Sequence, residues 1–207
     1  MGEHMKRKIG IMGGTFDPIH TGHLILGEAS YEQFHLDKVR FMPAGNPPHK
    51  RDRDGRATNE QRIDMVRSAI ADNDHFELSL IEMESTHLSY TYLTLEKFLE
   101  QQPEEELYFI IGADSLFDFD KWKHPEKICQ LCKLIVATRN QTSDAELDKQ
   151  IAYLEQKYNG TFLKLNTPDI DISSQMLREL TKSNKSIRYY VPESIRNYII
   201  ENNMYKD

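Results

Sequence analysis

The chain is short of cysteine, of tryptophan and of positive charge. Its two cysteines, Cys129 and Cys132, stand in "ICQLCKL". Their CxxC spacing allows a redox pair or half of a zinc site, but the second half of a four-cysteine site is absent. The stretch is typical of a helix that runs into an apolar strand, so we interpret both cysteines as packed free thiols.

The charge balance and the lack of a long apolar run argue against two classes of partner. The sequence has 26 Lys and Arg against 33 Asp and Glu, a net charge of -7. A partner that is a nucleic acid polymer requires a basic surface, so we expect none. No run reaches the roughly 20 apolar residues of a membrane span, and the first residues lack an apolar signal segment. We therefore expect a cytoplasmic protein with no membrane partner.

Apolar strands alternate with amphipathic helices along the chain. The apolar, β-branched runs are "KIGIMG", "KVRFMPA", "FELSLIEM", "ELYFIIGAD", "KLIVATR" and "TFLKLN". Helical periodicity begins at about Thr21, Asn59, Ser89, Pro125 and Ser143. The last part predicts two helices and no strand, the second helix beginning near Pro192. This alternation predicts an α/β fold with a doubly wound, mostly parallel sheet, helices on both faces and C-terminal helices.

We expect residues 5–207 to form a single domain and residues 1–4 to be an expression remnant. The most loop-like segment is "GNPPHKRDRDGRAT", residues 45–58, with paired prolines and dense charge. Because it follows a strand, it is expected at the carboxyl edge of the sheet, where ligands bind in such folds. A solvated surface loop is the alternative.

The stretch "IGIMGGTFDPIHTGH", residues 9–23, ends a strand at two glycines and then spaces two histidines three residues apart. Gly13 and Gly14 allow a sharp turn and a close ligand approach. The third glycine of a dinucleotide fingerprint and the Gly-Lys-Ser/Thr of a Walker loop are missing. We expect Thr21 to cap a new helix, with His20 just before it and His23 in its first turn. Backbone N–H groups and the helix dipole favour an anion there.

Three interpretations of this turn stay open on the residues alone. A phosphate site fits the helix start and the two imidazole donors best. A purely structural turn with two capping histidines is the second interpretation. A metal site made by Asp17, His20 and His23 is the third, although three such ligands supply little for a metal.

Several segments, in order along the chain, resemble one family. "GGTFDPIHTGH" resembles the HxGH nucleotidyltransferase signature. "MPAGNPPHK", "SYTY", "FIIGADSL" followed by Trp122, and "ISSQMLR" are similar to further segments of the bacterial nicotinate-nucleotide adenylyltransferases. The ordered set spans nearly the whole chain. It is therefore more specific than HxGH alone, which also admits pantetheine-phosphate adenylyltransferases, cytidylyltransferases and class I aminoacyl-tRNA synthetases.

The resemblance implies a Rossmann-like nucleotidyltransferase fold and a role in NAD biosynthesis. AMP would pass from ATP to nicotinate mononucleotide by direct in-line attack, giving deamido-NAD and pyrophosphate. Such chemistry needs alignment and charge neutralisation rather than a protein nucleophile. Mg²⁺ is implied as the cation that accompanies ATP, with no protein ligand assigned to it because Mg²⁺ keeps much of its water shell.

The ATP site that the resemblance implies is built from two helix starts. His20 and His23 would hold the phosphates, with His23 nearest the transferred group, and Arg178 would join them from the second helix start. The implied ATP-binding set is Gly13, Gly14, Thr15, His20, His23, Asp114, Arg139, Ser173, Ser174 and Arg178. The implied catalytic set is His20, His23, Lys50 and Arg178.

Individual roles follow the same resemblance. Lys50 would reach phosphate as a mobile cation, Asp114 would accept hydrogen bonds from a ribose, and Arg139 would line the adenine side. Ser173 or Ser174 reads independently as a helix cap. The structural alternatives are a surface lysine for Lys50, a helix cap for Asp114 and a stray surface arginine for Arg178.

The implied nicotinate mononucleotide site comprises Thr15, Lys50, Thr91 and Trp122. Trp122 would stack on the pyridine ring, with a core tryptophan as the alternative. Thr91 would hold the nicotinate carboxylate through its backbone N–H. Two departures from the family pattern weaken single contacts: "STHL" precedes "SYTY" where a glycine-containing form is common, and Gln175 stands where threonine is common.

Other functions remain as competing hypotheses. A sister adenylyltransferase would use nicotinamide mononucleotide or pantetheine phosphate. A non-catalytic nucleotide-binding protein would keep the fold without turnover, and a metal-dependent hydrolase would use the histidines as ligands. The sequence leaves open whether the chain forms a homo-oligomer.

Overall fold

A parallel sheet of six strands organises the chain in the computed structural model, which describes residues 6–45, 55–84, 89–137, 144–168 and 170–206. The strands are Arg7–Gly14 (β1), Lys38–Pro43 (β2), Phe76–Leu78 (β3), Glu105–Gly112 (β4), Cys132–Ala137 (β5) and Phe162–Leu165 (β6). Their spatial order is β3-β2-β1-β4-β5-β6, with every neighbouring pair parallel. The order reverses between β1 and β4, and ligands bind beyond the carboxyl ends of strands at such a point.

Helices connect the strands and close the chain. The helices are Thr21–Phe34 (α1), Asn59–Ala69 (α2), Thr91–Gln101 (α3), Ala113–Phe117 (α4), Pro125–Leu131 (α5), Asp144–Tyr158 (α6), Ser174–Lys182 (α7) and Glu193–Glu201 (α8). A 3₁₀ helix, Phe119–Lys121, follows α4. None of the helices in the described ranges is long and apolar enough to cross a membrane.

The sheet separates two apolar cores, because side chains of successive strand residues point to opposite faces. Met12 of β1 and Phe41 of β2 pack with the apolar residues of α1, α2, α7 and α8. Ile9 and Ile11 of β1 pack on the other face with those of α3, α4, α5 and α6. Helices on both faces of an all-parallel sheet confirm the predicted doubly wound α/β class.

The third predicted strand was too long. "FELSLIEM" predicts eight residues of strand, but β3 ends at Leu78 and turns follow from Ile81. Glu82 explains the departure, since it is 7% exposed and its carboxylate accepts hydrogen bonds from Thr94 Oγ1 at 2.8 Å and the Gly45 backbone N–H at 3.4 Å. The apolar run therefore covers a turn that links the end of the β2 segment to α3.

The two cysteines lie where α5 runs into β5. Cys132 is buried and its thiol donates to the Ile128 carbonyl at 3.4 Å. Burial raises the pKa of the Cys129 thiol to about 11. Both cysteines are free, and a thiol with such a pKa carries little reactive thiolate at neutral pH. The interpretation as packed free thiols is confirmed.

Candidate active site

A crevice opens where the ends of β1 and β4 meet the start of α1. Its volume is about 170 Å³, and its lining includes Gly13, His20, His23 and Gly112. A side-chain carbon added to Gly112 would meet no protein atom within 4 Å. Glycine at this position therefore leaves space in the crevice, whereas a larger residue would occupy it.

The two histidines flank the first turn of α1. The N-cap is His20, which has an extended backbone, and Thr21 is the first helical residue, so the prediction that Thr21 caps the helix was wrong. Thr21 instead bonds the segment before α8: its backbone N–H donates to the Tyr190 carbonyl at 2.9 Å, and its hydroxyl to the Tyr189 carbonyl at 3.4 Å. The predicted positions of His20 and His23 relative to the helix are confirmed.

The hydrogen bond of His23 within the protein determines which of its ring nitrogens accepts and which donates. Its Nδ1 accepts the backbone N–H of His20 at 3.2 Å. In the neutral ring the proton then resides on Nε2, so the second nitrogen is a donor. The rings of His20 and His23 stack with centroids 3.7 Å apart, and Phe16 meets the edge of His23 at 5.0 Å. Packing thus holds both rings at the helix start.

Gly22, between the two histidines, packs closely against His20. A side-chain carbon on Gly22 would lie 3.1 Å from Nδ1 of His20 and 3.3 Å from the Ile170 side chain. A larger residue would force the buried imidazole to shift by a few tenths of an ångström. The glycine of the HxGH pattern has a steric reason in this chain.

The second predicted helix start, that of α7, is joined to the same turn. Ser173 is its N-cap and accepts the Met176 backbone N–H at 3.1 Å. Ser174 instead donates its hydroxyl to the Pro18 carbonyl at 2.9 Å. Arg178, one turn on, donates from Nη1 to the backbone carbonyl of Asp17. Both helix starts therefore meet at the residues just before His20.

Asp17 is occupied by donors other than a metal. It is 1% exposed, and its carboxylate accepts from Arg56 at 3.1 Å, from the Ala57 backbone N–H at 3.1 Å and from the Tyr205 hydroxyl at 2.8 Å. Within the described ranges no group of three His, Cys, Asp or Glu residues could hold a metal ion. The metal interpretation of Asp17, His20 and His23 thus has no support in this geometry.

The sequence did not single out Arg62 of α2, which organises the same edge. It is 5% exposed and donates to the Thr15 carbonyl at 2.8 Å, the Ala44 carbonyl at 2.9 Å and Asn59 Oδ1 at 2.7 Å. Burial lowers its pKa, against the opposing charge of Asp17. An arginine on the apolar stripe of α2, next to buried Met65, is the signal that could have identified it.

A second cavity lies beside the start of α3, next to the core that packs α3, α4, α5 and α6. Its volume is about 620 Å³, and its lining includes Thr91, Asp118, Lys121 and Trp122. The indole packs against Phe119 at 5.4 Å, and also against the edge of Phe109. Trp122 is therefore both a core contact and a cavity wall, and the two predicted interpretations of it are not exclusive.

The remaining predicted site residues lie in different places, and some lie outside the described residues. Asp114 is exposed in the first turn of α4, and Gly112 rather than Asp114 is the N-cap, so the alternative of a helix-capping Asp114 is wrong. Thr15 is half-buried at the end of the glycine turn. Lys50, Arg139 and residues 1–4 lie outside the described residues.

Comparisons with known proteins agree with this architecture. The cytidylyltransferase-like family model matches residues 11–180. A probable nicotinate-nucleotide adenylyltransferase of Lachnoclostridium phytofermentans is 42% identical over 96% of this chain and 99% of its own length. Another, of Clostridium botulinum strain Alaska E43, is 44% identical over 97% of this chain and 99% of its own length.

A solved structure shares the fold at low identity. Plasmodium falciparum nicotinic acid mononucleotide adenylyltransferase, complexed with NaAD, has a TM-score of 0.78 and 22% identity, covering 96% of this chain and 97% of its own. With a family match over most of its length and two relatives above 40% identity, the chain belongs to the cytidylyltransferase-like family and, within it, to the nicotinate-nucleotide adenylyltransferases.

Proposed function

We propose that this chain transfers AMP from ATP to nicotinate mononucleotide, giving deamido-NAD and pyrophosphate. The observation that carries the proposal is the position of His23. Its ring lines a crevice at the carboxyl edge of the sheet, with Nδ1 engaged and Nε2 a donor. Such a donor at a helix start suits a phosphate oxygen, whereas a metal ion would need an acceptor nitrogen. The family to which the chain belongs gives the acceptor.

On the ATP side, the first helix start would bind the phosphates. Gly112 leaves open space in the crevice and Gly13 also lines it, so the nucleotide can approach the strand ends closely. His20 and His23 would donate hydrogen bonds to phosphate oxygens whose negative charge changes during transfer. Donors fixed in place before the reaction need no reorganisation, which is the main catalytic contribution available without a nucleophile.

The second helix start would add a cation to the same phosphates. Arg178 is held by Nη1, and a guanidinium carries further donors on Nη2 and Nε that suit two phosphate oxygens. Gln175 donates its side-chain amide to Glu179 at 2.9 Å, so a contact at that position would come from its backbone N–H. The proposed roles of the other residues stay as the resemblance implies them. Lys50 would reach phosphate, Arg139 would line the adenine side and Asp114 would bind the ribose. Thr15 would contact both substrates.

On the acceptor side, Trp122 would stack on the pyridine ring and α3 would bind the nicotinate carboxylate. Thr91 is the first residue of α3, and Tyr90 at the N-cap supplies no side-chain cap. The first N–H groups of this helix thus suit a carboxylate. Lys121 on the cavity wall pairs with Asp118 at 2.6 Å, so it would contribute positive charge to an acidic acceptor by exchanging that carboxylate for the acceptor's.

Nucleotidyltransferases of this kind use a divalent metal with ATP, and we propose Mg²⁺ here. The described residues include no cluster of carboxylates or histidines that could hold it. The ion would therefore arrive as part of the substrate, bound by ATP oxygens and water. It would neutralise phosphate charge, and no step is assigned to a protein ligand of the metal.

The proposal is tested by pyrophosphate release with ATP, Mg²⁺ and a panel of acceptors. Nicotinate mononucleotide, nicotinamide mononucleotide and pantetheine phosphate are compared by kcat/KM. The proposal predicts the highest kcat/KM for nicotinate mononucleotide. A strong preference for either of the others would move the chain to a sister activity, and no release with any acceptor would favour a non-catalytic nucleotide-binding protein.

A further inference from the structure

A buried carboxylate joins the last residues of the chain to the ATP side of the site. Oδ1 of Asp17 accepts the hydroxyl of Tyr205 at 2.8 Å and the backbone N–H of Ala57 at 3.1 Å. Oδ2 accepts Nη1 of Arg56 at 3.1 Å, and Nη1 of Arg178 lies 3.8 Å from it. One oxygen thus takes the neutral donors and the other faces the two arginines.

Arg178 is held at one end of its guanidinium. In the described part of the chain, its hydrogen bond and its ion pair both go to Asp17 and both use Nη1. The side chain is 18% exposed, so part of it faces solvent. A planar guanidinium that is fixed through one nitrogen presents Nη2 in a defined direction, which matters for bidentate phosphate binding.

The net charge of the cluster formed by Asp17, Arg56 and Arg178 favours binding of an anion. Two guanidiniums share the single carboxylate of Asp17, so a net positive charge remains. Burial and the charge of Arg56 lower the pKa of Arg178, while Asp17 raises it. Burial and the charge of Asp17 raise the pKa of Tyr205, which therefore stays a neutral donor at physiological pH. It orients the carboxylate without cancelling the positive charge.

The chain reaches this position by an unusual turn. After α8, Asn203 and Tyr205 adopt positive φ angles of 51° and 59°, a region that residues other than glycine seldom occupy. The Met204 backbone N–H donates to the Ile199 carbonyl at 3.0 Å, and both Met204 and Tyr205 are 6% exposed. The cytidylyltransferase-like match ends at residue 180, before this turn.

We propose that Tyr205 is a positioning residue for AMP transfer. Its hydroxyl fixes one oxygen of Asp17, so that the other oxygen and the backbone carbonyl hold Arg178 in the orientation that binds ATP phosphate. This inference rests on the proposed function, since it takes Arg178 as a phosphate ligand. The C-terminal turn is then coupled to ATP binding and not to acceptor binding.

The test begins with Tyr205→Phe, which removes the hydroxyl and keeps the ring. The expected result is a rise in KM for ATP of about tenfold, as for loss of a hydrogen bond to a charged group, with KM for nicotinate mononucleotide changed less than twofold. Tyr198→Phe is the matched control, because that hydroxyl, also in the C-terminal part, contacts Asp64 at 3.4 Å. The control should leave both KM values unchanged.

A double-mutant cycle separates positioning from mere stabilisation. If Tyr205 acts through Arg178, Tyr205→Phe should change KM for ATP little in an Arg178→Ala background. Equal effects of Tyr205→Phe in both backgrounds, or an unchanged KM for ATP in a folded Tyr205→Phe variant, would overturn the inference.

The cycle also distinguishes the two levels of the proposal. An Arg178→Ala variant with unchanged KM for ATP would contradict the proposed function's use of Arg178. A raised KM in Arg178→Ala with none in Tyr205→Phe would contradict only the inference about Tyr205.

If Tyr205→Phe does not fold, Asp17→Asn replaces it, since the amide keeps an acceptor for Tyr205 but loses the charge that holds the arginines. It should raise KM for ATP selectively, and an unchanged KM would overturn the inference.

Discussion

The two cavities at the carboxyl edge are built in opposite ways. The ATP side is a narrow crevice of about 170 Å³, and next to the turn that carries His20 lies a buried network of polar groups bonded within the protein. Arg62 and Asp17 each have at least three hydrogen-bond contacts within the protein. The acceptor side is a wider cavity of about 620 Å³, and the ion pair of Lys121 and Asp118 on its wall is exposed to solvent.

This difference agrees with what each substrate requires. Phosphate transfer depends on donors that are already in place, so a bonded and rigid site suits ATP. An acceptor is selected by its ring and its carboxylate, which an aromatic wall and a helix start can recognise in a more open cavity. The chain segment from Gly112 through α4 to Trp122 connects the two sides within eleven residues. Among the described residues the two cavities nevertheless share no lining residue, so changes on one side are expected to leave the other side's binding intact.

The largest expected effect comes from His23→Ala. We expect kcat to fall by about a hundredfold or more, because a fixed donor to the reacting phosphate is lost. Steady-state pyrophosphate release gives kcat, and circular dichroism checks the fold. His75→Ala is the matched control, since His75 bonds Glu28 at 2.8 Å at the start of β3. Unchanged turnover in a folded His23→Ala variant would contradict the mechanism.

Trp122→Ala should weaken binding of nicotinate mononucleotide and leave ATP binding unchanged. Loss of stacking on a ring is expected to raise KM for nicotinate mononucleotide by about tenfold or more. Trp122→Phe keeps an aromatic surface and should retain most of the affinity. KM for ATP is measured in parallel, and an equal rise for both substrates would show that Trp122 acts through the fold rather than as a platform.

Gly112→Ala tests whether ATP occupies the space that the absent side chain of Gly112 leaves in the crevice. The added methyl meets no protein atom within 4 Å, so thermal stability should hold, whereas KM for ATP should rise about fivefold or more through steric conflict with the nucleotide. Gly10→Ala is the contrasting variant, because its methyl would lie 2.9 Å from Leu36. It should lose stability by about 1–3 kcal/mol. Thermal melts and ATP titrations separate the two outcomes.

Tyr158→Phe should give the smallest effect. Tyr158 donates to Asp120 at 2.6 Å, two residues before Trp122. Tyr158 and Lys157 both lower the pKa of this carboxylate. Because the contact is exposed, its loss should raise KM for nicotinate mononucleotide by only about twofold. Tyr153→Phe, whose hydroxyl contacts Lys157, the other partner of Asp120, should have a smaller effect than Tyr158→Phe. An effect on ATP would contradict the separation of the two sides.

The sequence predicted the parts whose signals are local. The six apolar runs all became strands, and the helices at Thr21, Asn59 and Pro125 begin at the predicted residues. The sequence located the helix start to within one residue, at Thr21 rather than His20, and the second cap to Ser173 or Ser174, because caps and glycines act over a few residues.

The sequence could not reveal contacts between distant segments. Tyr205 meets Asp17 across 188 positions, and no periodicity or motif marks such a pair. Arg62 stands in an apolar helix stripe, but its partners Thr15 and Ala44 are defined only by the sheet order. The excess length given to β3 has the same cause, because an apolar run does not distinguish a strand from a buried turn.

The separation of the two sides is tested most directly by equilibrium binding of a non-hydrolysable ATP analogue and of nicotinate mononucleotide. Titration calorimetry on the unmodified chain, Arg178→Ala and Trp122→Ala gives six dissociation constants. The account predicts a crossed pattern, in which Arg178→Ala weakens only the ATP analogue and Trp122→Ala weakens only nicotinate mononucleotide. Equal weakening of both ligands by either variant, with the fold intact, would contradict it.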